Sequence, residues 1–201
     1  MGRRATPSAA EHIEMTQSGT DEAKDFIAEE LLRLDPVSGV LSSRFGHRTV
    51  MVSDAMVGAA EAVLAEEMGE AAGLVWYQAG ASVGRRNMEG FGARLRKEAG
   101  GDWSARRRSI IDEWLWPFRA VGWGVWSPDF SHERQGLTVI EVDRSVIGQG
   151  AGRVGRPVCH LFSGILSGAM SVLDRAPREA TEIQCYSMGY DICRFVVGEP
   201  G

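Results

Sequence analysis

Apolar and polar positions recur with two different periods along this chain, and the changes of period divide it into elements. In "TDEAKDFIAEELLRLD", Phe26, Ile27, Leu31 and Leu34 fall at helical spacing, with Thr20 as N-cap and Pro36 and Gly39 as stops. "GVLSSRFGHRTVMVS" reads as two short strands around Phe45-Gly46. Asp54 can cap a helix that runs through Met68 to Gly69, and a longer helix follows from about Glu70 to Lys97. "RRRSIIDEWLWPFRAVGWG" predicts a helix broken near Pro117, and "WGVWSPDF" and "LTVIEVD" alternate as strands around the polar turn "SHERQG". The glycine-rich "IGQGAGRVGRP" predicts a loop. "PVCHLFSGILSGAMSVLD" predicts a helix with proline in its first turn, and "ATEIQCYSMGYDICRF" two strands turned at "MGYD". Helices, strands, one helix and two further strands predict an α+β fold, a mainly antiparallel sheet packed with helices. Residues 1–20 are small, polar and aperiodic and predict a disordered tail, leaving 21–201 as a single domain.

Composition narrows the function classes. The chain has 201 residues, 44% of them hydrophobic, and 22 basic against 27 acidic side chains, a formal charge of −5. That balance argues against a general nucleic-acid binder, so Arg106, Arg107 and Arg108 are expected to be a solvated helix start. "MGRRATPSAAEHIEM" has no apolar run behind its arginines and is not a secretory signal, and no stretch approaches a membrane span. Three cysteines cannot all close into disulfides, so a cytoplasmic protein with reduced thiols is expected. No catalytic residues are assigned. "GQGAGR" lacks the Lys-Ser/Thr of a phosphate loop, and His12, His47, His132 and His160 form no motif.

The thiols are the candidate chemistry. Cys159 opens a helix, where free N–H groups favour thiolate. A final hairpin folding back on that helix would bring Cys185 and Cys193 to Cys159, with Glu182 on the strand of Cys185. Three thiolates and a carboxylate suit a tetrahedral metal, with zinc the natural occupant; the alternative is three buried apolar cysteines and a surface glutamate. Glu182 and Cys185 are an odd number apart, so an ideal strand points them to opposite faces and a shared site requires a bulge. Such a site around a dication is formally two units negative, and Arg156 or Arg194 is expected to compensate it.

"PVCHLFSGILSGAM…ATEIQCYSMGYDICRFVVG" resembles the C-terminal signature of the 4-vinyl-reductase-like (V4R) domain: a Cys opening a helix, Glu-x-x-Cys, a glycine turn and Cys-x-Phe. "YQAGASVGRRNMEGF" is similar to the family's Gly-x-x-x-Gly helix, and "GWGVWS" to its mid-domain strand. The resemblance implies that Cys159, Glu182, Cys185 and Cys193 hold a structural zinc, as in the sensor domains of aromatic-responsive transcriptional activators. It implies the α+β fold shared with vesicle-tethering (TRAPP) subunits and, more distantly, haem-type NO sensors. It also implies a hydrophobic small-molecule ligand, aromatic or tetrapyrrole, or a partner protein. With Gly201 close behind the last cysteine, output is expected through an unidentified partner.

Aromatic residues mark the candidate pocket. Trp114, Trp116, Phe118, Trp123, Trp126 and Phe130 fall close together, with Trp76 and Tyr77 on the preceding helix. Ile165 and Ala169 are candidate pocket floor, while Gly164 and Gly168 mark a face for close backbone packing. Three readings follow. The first is a zinc-stabilised domain that binds a hydrophobic molecule as sensor or carrier. The second is an accessory factor or reductase of tetrapyrrole (bacteriochlorophyll) synthesis, the only reading that would make the chain an enzyme. The third is a homodimeric structural adaptor like the tethering subunits.

Overall fold

The structure, a computed structural model, describes residues 32–43, 48–99 and 105–201. They fall into two compact units, one ending at Met51 and the other spanning Val52–Gly201. In the first, β1 (Leu32–Asp35), β2 (Val40–Ser43) and β3 (Arg48–Thr49) form an antiparallel sheet in that order. The helix expected through Leu34 is therefore corrected over Leu32–Asp35; its earlier part, like the residue 1–20 tail and the Phe45-Gly46 turn, lies outside the described residues. Pro36 disfavours helical geometry in the residue before it, and Asp35 instead starts a tight turn. Its carboxylate accepts from the Val37 N–H at 2.9 Å and the Ser38 hydroxyl at 2.6 Å, which holds it below the usual aspartate range.

The second unit begins with α1 (Asp54–Met68), which Ser53 rather than Asp54 caps. The Ser53 hydroxyl accepts from the Met56 N–H at 3.2 Å, while Asp54 occupies the first turn. Gly69 ends the helix at φ +58, as its position predicted. Helix α2 (Ala71–Ala99) follows, and then α3 (Arg107–Ala120) runs unbroken through Pro117. The break expected there does not occur because proline sits in the final turn, where only one interior hydrogen bond is forgone. Strands β4 (Val125–Asp129) and β5 (Thr138–Asp143) follow as expected. The glycine-rich stretch is not all loop: Val146–Gly150 forms the short helix α4, capped by the Ser145 hydroxyl. Helix α5 (His160–Asp174) has Cys159 as its N-cap, so Pro157 precedes the helix instead of lying in its first turn. Strands β6 (Glu179–Gln184) and β7 (Cys193–Gly198) complete a four-stranded antiparallel sheet of order β4-β5-β7-β6. The α+β architecture is the one the element order predicted.

Helix α5 is the centre of the unit. Its residues from Phe162 to Met170 are all buried, as a helix covered on opposite sides requires. The cover on one side is α2, and the two helices meet through glycine. A Cβ on Gly164 would run into the Tyr77 carbonyl, and one on Gly168 into that of Ala81. From the other side, Gly80 faces the Leu161 carbonyl and Gly84 that of Ile165. The close-packing face assigned to Gly164 and Gly168 is thus present, and α2 answers it with the same four-residue repeat.

A charged cluster fixes the far end of α5. Asp174 receives Arg107 through Nε at 2.7 Å and Nη2 at 3.1 Å, and Arg178 Nε at 2.8 Å. Arg107 also reaches the Thr138 hydroxyl at 3.1 Å, and Arg108 bonds Glu133. The solvated arginine face is therefore corrected: Arg107 is drawn inward to join α3, α5 and the start of β5.

The glycine contacts give a prediction with an internal control. Gly164→Ala should lower stability by about 2 kcal/mol, the usual scale of an overpacked core. Gly90→Ala, at an exposed position of α2 with nothing near its would-be Cβ, should raise it by about 0.5–1 kcal/mol. Denaturant midpoints of the two variants measure both.

Candidate metal centre and aromatic core

Strand β6 carries an irregularity of register between Glu182 and Gln184, at Ile183. This is the bulge the spacing required, and with it the strand aims both Glu182 and Cys185 at the helix. Cys193 begins β7, and Cys159 faces them from the N-cap of α5. All four ligand atoms lie within 4.8 Å of one another. The sulfurs form a nearly regular triangle: Cys159–Cys193 3.7 Å, Cys159–Cys185 3.8 Å and Cys185–Cys193 3.8 Å. Those distances are far too long for disulfides. A tetrahedral ion bound at about 2.3 Å holds its sulfurs about 3.8 Å apart.

Glu182 supplies the fourth corner. Its Oε2 accepts from the Cys159 N–H at 3.0 Å, while its Oε1 is buried with no hydrogen-bond partner among the described residues. Burial pushes this carboxyl up to about 8, with the Cys185 sulfur adding to the rise. Burial likewise raises the Cys159 thiol well above its ordinary value. At Cys193 the bond with Cys159 pulls downward, but the bond with Cys185 and burial win and push it up to about 12. Cys185 moves the other way, lowered by its bonds from Cys159 and Cys193. Cys159, Glu182 and Cys193, packed with Cys185 in so small a volume, favour their protonated forms unless a cation replaces the protons. The donor set and its spacing fit a metal ion.

Neutral donors surround the cluster. The Ser145 hydroxyl lies 3.4 Å from Cys159 Sγ, the Ser187 hydroxyl 2.9 Å from Cys185 Sγ, and the Tyr186 N–H donates to Cys193 Sγ at 3.5 Å. A Cβ on Gly148 would come within 3.0 Å of Cys193 Sγ, so α4 closes over the site at a residue with no side chain. The arginines expected to compensate the charge are engaged elsewhere: Arg156 pairs with Glu61 at 3.2 Å and Arg194 with Glu141 at 2.9 Å. Each meets a carboxylate before it can reach the cluster. Ser145, Gly148 and Ser187 escaped the sequence reading because serine and glycine are common in loops. Only their contacts with sulfur distinguish them.

The aromatic candidates divide. Trp114, Trp123 and Trp126 come together around Phe118 and Phe162. The ring centroids are 4.8 Å apart for Phe118–Trp126, 4.6 Å for Trp126–Phe162, 5.4 Å for Trp123–Phe162 and 5.2 Å for Trp114–Phe118. At these spacings the rings fill their own centre. Phe162, on the turn after Cys159, is the hub the sequence reading missed; Phe195 joins it from β7. Trp76 lies apart, against a cavity of about 10 Å³ lined also by Val57, Glu61, Ile147, Val158 and Leu161. Phe130 sits at the edge beneath the Arg108 guanidinium. Tyr77 and Ile165 lend their backbones to the α2–α5 crossing, and Ala169 is buried in the same core. Two indole nitrogens, Trp76 Nε1 and Trp126 Nε1, are buried with no hydrogen-bond partner among the described residues.

Residues 138–199, which span β5 to β7 and contain all four candidate ligands, match the V4R domain family. The fold of the chain is similar to the phenol-responsive sensory domain of the transcription activator PoxR, solved with phenol: TM-score 0.68, 19% identity, 91% of each chain covered. It is similar to a trafficking protein particle complex subunit 3 from Naegleria fowleri, covalently bound to palmitic acid: TM-score 0.52, 14% identity, 74% of this chain and 95% of that one. A vinyl-4-reductase family protein from Methanocaldococcus jannaschii gives TM-score 0.52 and 14% identity with both chains covered in full. At these identities the likeness establishes the fold. No curated protein matches the sequence. Among the described residues, no helix is long and apolar enough to cross a membrane.

If the cluster holds a metal, the β6–β7 hairpin depends on it for anchorage. Cys185→Ala and Cys193→Ala should each lower the melting temperature by roughly 10 °C, the equivalent of a few kcal/mol in a chain of this size. Glu182→Gln should cost less, because an amide oxygen keeps the shape. Thermal melts with and without a strong chelator make the comparison: wild type should fall to the level of the cysteine variants when chelated.

Proposed function

We propose that this chain is a small-molecule-binding sensory domain, in which a structural zinc ion clasps the β6–β7 hairpin to α5 and the Trp126 indole reads the ligand. The observation that carries the ligand reading is the Trp126 Nε1 donor, buried between Phe118 and Phe162 without a partner among the described residues. An unpaired buried N–H costs about 1–3 kcal/mol, and a ligand hydroxyl or carbonyl oxygen would relieve it. The site is closed in this structure, so entry requires ring movement, and half-buried Phe118 and Trp123 are the side chains placed to give way. The phenol bound by the PoxR sensory domain, an apolar ring with one polar oxygen, is the kind of molecule this arrangement suits. Output passes through a partner protein, and three unpaired thiols suit the reducing cytoplasm.

Zinc is the ion of choice because three soft thiolates and one carboxylate at tetrahedral spacing match it. With four protein ligands it has no open position for substrate, so its work is structural. Elemental analysis should return about one zinc per chain; folded protein without metal under reducing conditions would remove the clasp.

Calorimetric titration tests the ligand reading, with phenol as probe and toluene as its apolar control. Trp126→Phe keeps a ring and removes the N–H, so phenol affinity should fall roughly fivefold to tenfold while toluene is unaffected. Absence of phenol binding in wild type, together with no aromatic molecule co-purifying, would exclude this reading. The second reading, a structural adaptor, draws on the filled aromatic core and the exposed Leu74 and Val75. It expects neither probe to bind.

A further inference from the structure

The cavity beside Trp76 brings together two polar groups that the aromatic cluster does not use. Its wall has a buried side, formed by Glu61, Ile147 and Val158, and a half-buried side, formed by Val57, Trp76 and Leu161. Glu61 is a carboxylate only 3% exposed, held by the Arg156 guanidinium at 3.2 Å. Trp76 Nε1 is a buried donor with no hydrogen-bond partner among the described residues. The other four lining residues are aliphatic. None of the six takes part in the ring contacts around Trp126.

Backbone contacts set the walls. Helix α1 meets α4 where a Cβ on Gly58 would strike the Gly150 carbonyl, which fixes Val57 and Glu61 relative to Ile147. Helix α2 meets α5 where Gly80 faces the Leu161 carbonyl, one turn after Trp76. The space left between them, about 10 Å³, has room for one water-sized group.

Donor and acceptor together select what that group is. A cation would satisfy Glu61 but meet the positive end of the indole N–H. An anion would suit the N–H but meet the carboxylate. A wholly apolar guest would leave both unserved, and an unpaired buried polar group costs about 1–3 kcal/mol. A hydroxyl serves both at once: its oxygen accepts from the indole and its hydrogen goes to the carboxylate. The aliphatic wall suits a short alkyl group attached to that hydroxyl, and half-buried Val57 and Leu161 are the side chains placed to move aside for it.

We propose that the cavity between α1, α2, α4 and α5 is a binding site for a small primary alcohol, which donates its hydroxyl hydrogen to Glu61, accepts from Trp76 Nε1 and extends its alkyl group past Val57 and Leu161. It is a second site, independent of whether the Trp126 cluster takes a phenol.

Nuclear magnetic resonance of the full chain tests it, with ethanol as probe and propane, which has a methyl in place of the hydroxyl, as control. With tryptophan labelled at the indole nitrogen, the Trp76 signal is identified by its loss in Trp76→Phe. Ethanol should shift that signal saturably. Glu61→Gln, which keeps the shape but offers a weaker acceptor, should lower ethanol affinity roughly fivefold and leave propane unaffected. In Trp76→Phe the methyl signal of Ile147, which lines the same cavity, serves as reporter, and ethanol should weaken there by roughly fivefold to tenfold, again with propane unaffected. If Glu61→Gln fails to fold, Trp76→Phe decides. Trp126→Phe should leave the ethanol response unchanged, which separates this site from the phenol reading. A Trp76 indole that exchanges magnetisation with water and does not respond to ethanol makes the cavity a water site and overturns the proposal. Variants that bind ethanol as wild type does, or that lose ethanol and propane alike, also overturn it.

Discussion

The structure depends first on the crossing of α2 and α5, where backbone meets backbone. Gly80 and Gly84 on one helix and Gly164 and Gly168 on the other leave no side chain between the axes. Close approach of this kind is stiff: a helix held by carbonyl-to-glycine contact cannot slide without a clash at several points. The position of α5 is therefore set along its length. From it follow the place of Cys159 at the helix start, of Phe162 one turn on, and of Asp174 at the end with its two arginines.

The cluster of three thiols and a carboxylate is a second constraint built on the first. Helix α5 offers one sulfur and one N–H, and the bulged strand β6 brings Glu182 and Cys185 to the same side. The four groups are costly to ionise together and costly to bury unpaired, and this is why the surroundings are rich in neutral donors. The glycine-rich stretch finds its use here as well. Its short helix α4 covers Cys193 with Gly148, at a point where any side chain would crowd the sulfur.

Sensing in such a molecule would join two regions through one element. Phe162 belongs to the aromatic cluster and lies three residues beyond Cys159, on the same rigid helix. Trp126 holds the unpaired donor in that cluster, and Phe195 connects it to β7, two residues after Cys193. A ligand that displaced the rings would therefore push on the helix and strand whose ends carry Cys159 and Cys193. Here the rigidity of the crossing and of the clasp would turn a local repacking into a displacement elsewhere.

By itself the sequence determined most of the elements and singled out the four residues that the structure gathers into one cluster. The periods of apolar residues set α1, α2 and the strands β4 and β5, and the odd spacing of Glu182 and Cys185 demanded the bulge that β6 contains. These signals are local, written within a few residues of where they act. The tertiary structure decided whatever depends on partners remote in sequence. It drew Arg107 inward because Asp174 awaited it, and it paired Arg156 and Arg194 with Glu61 and Glu141 and not with the thiol cluster. Leu32–Asp35 became a strand because Val40–Ser43 could satisfy its backbone. It also filled the expected aromatic pocket with Phe162, a residue more than thirty positions along the chain from Trp126, because only packing in three dimensions settles whether clustered rings enclose a space or occupy it.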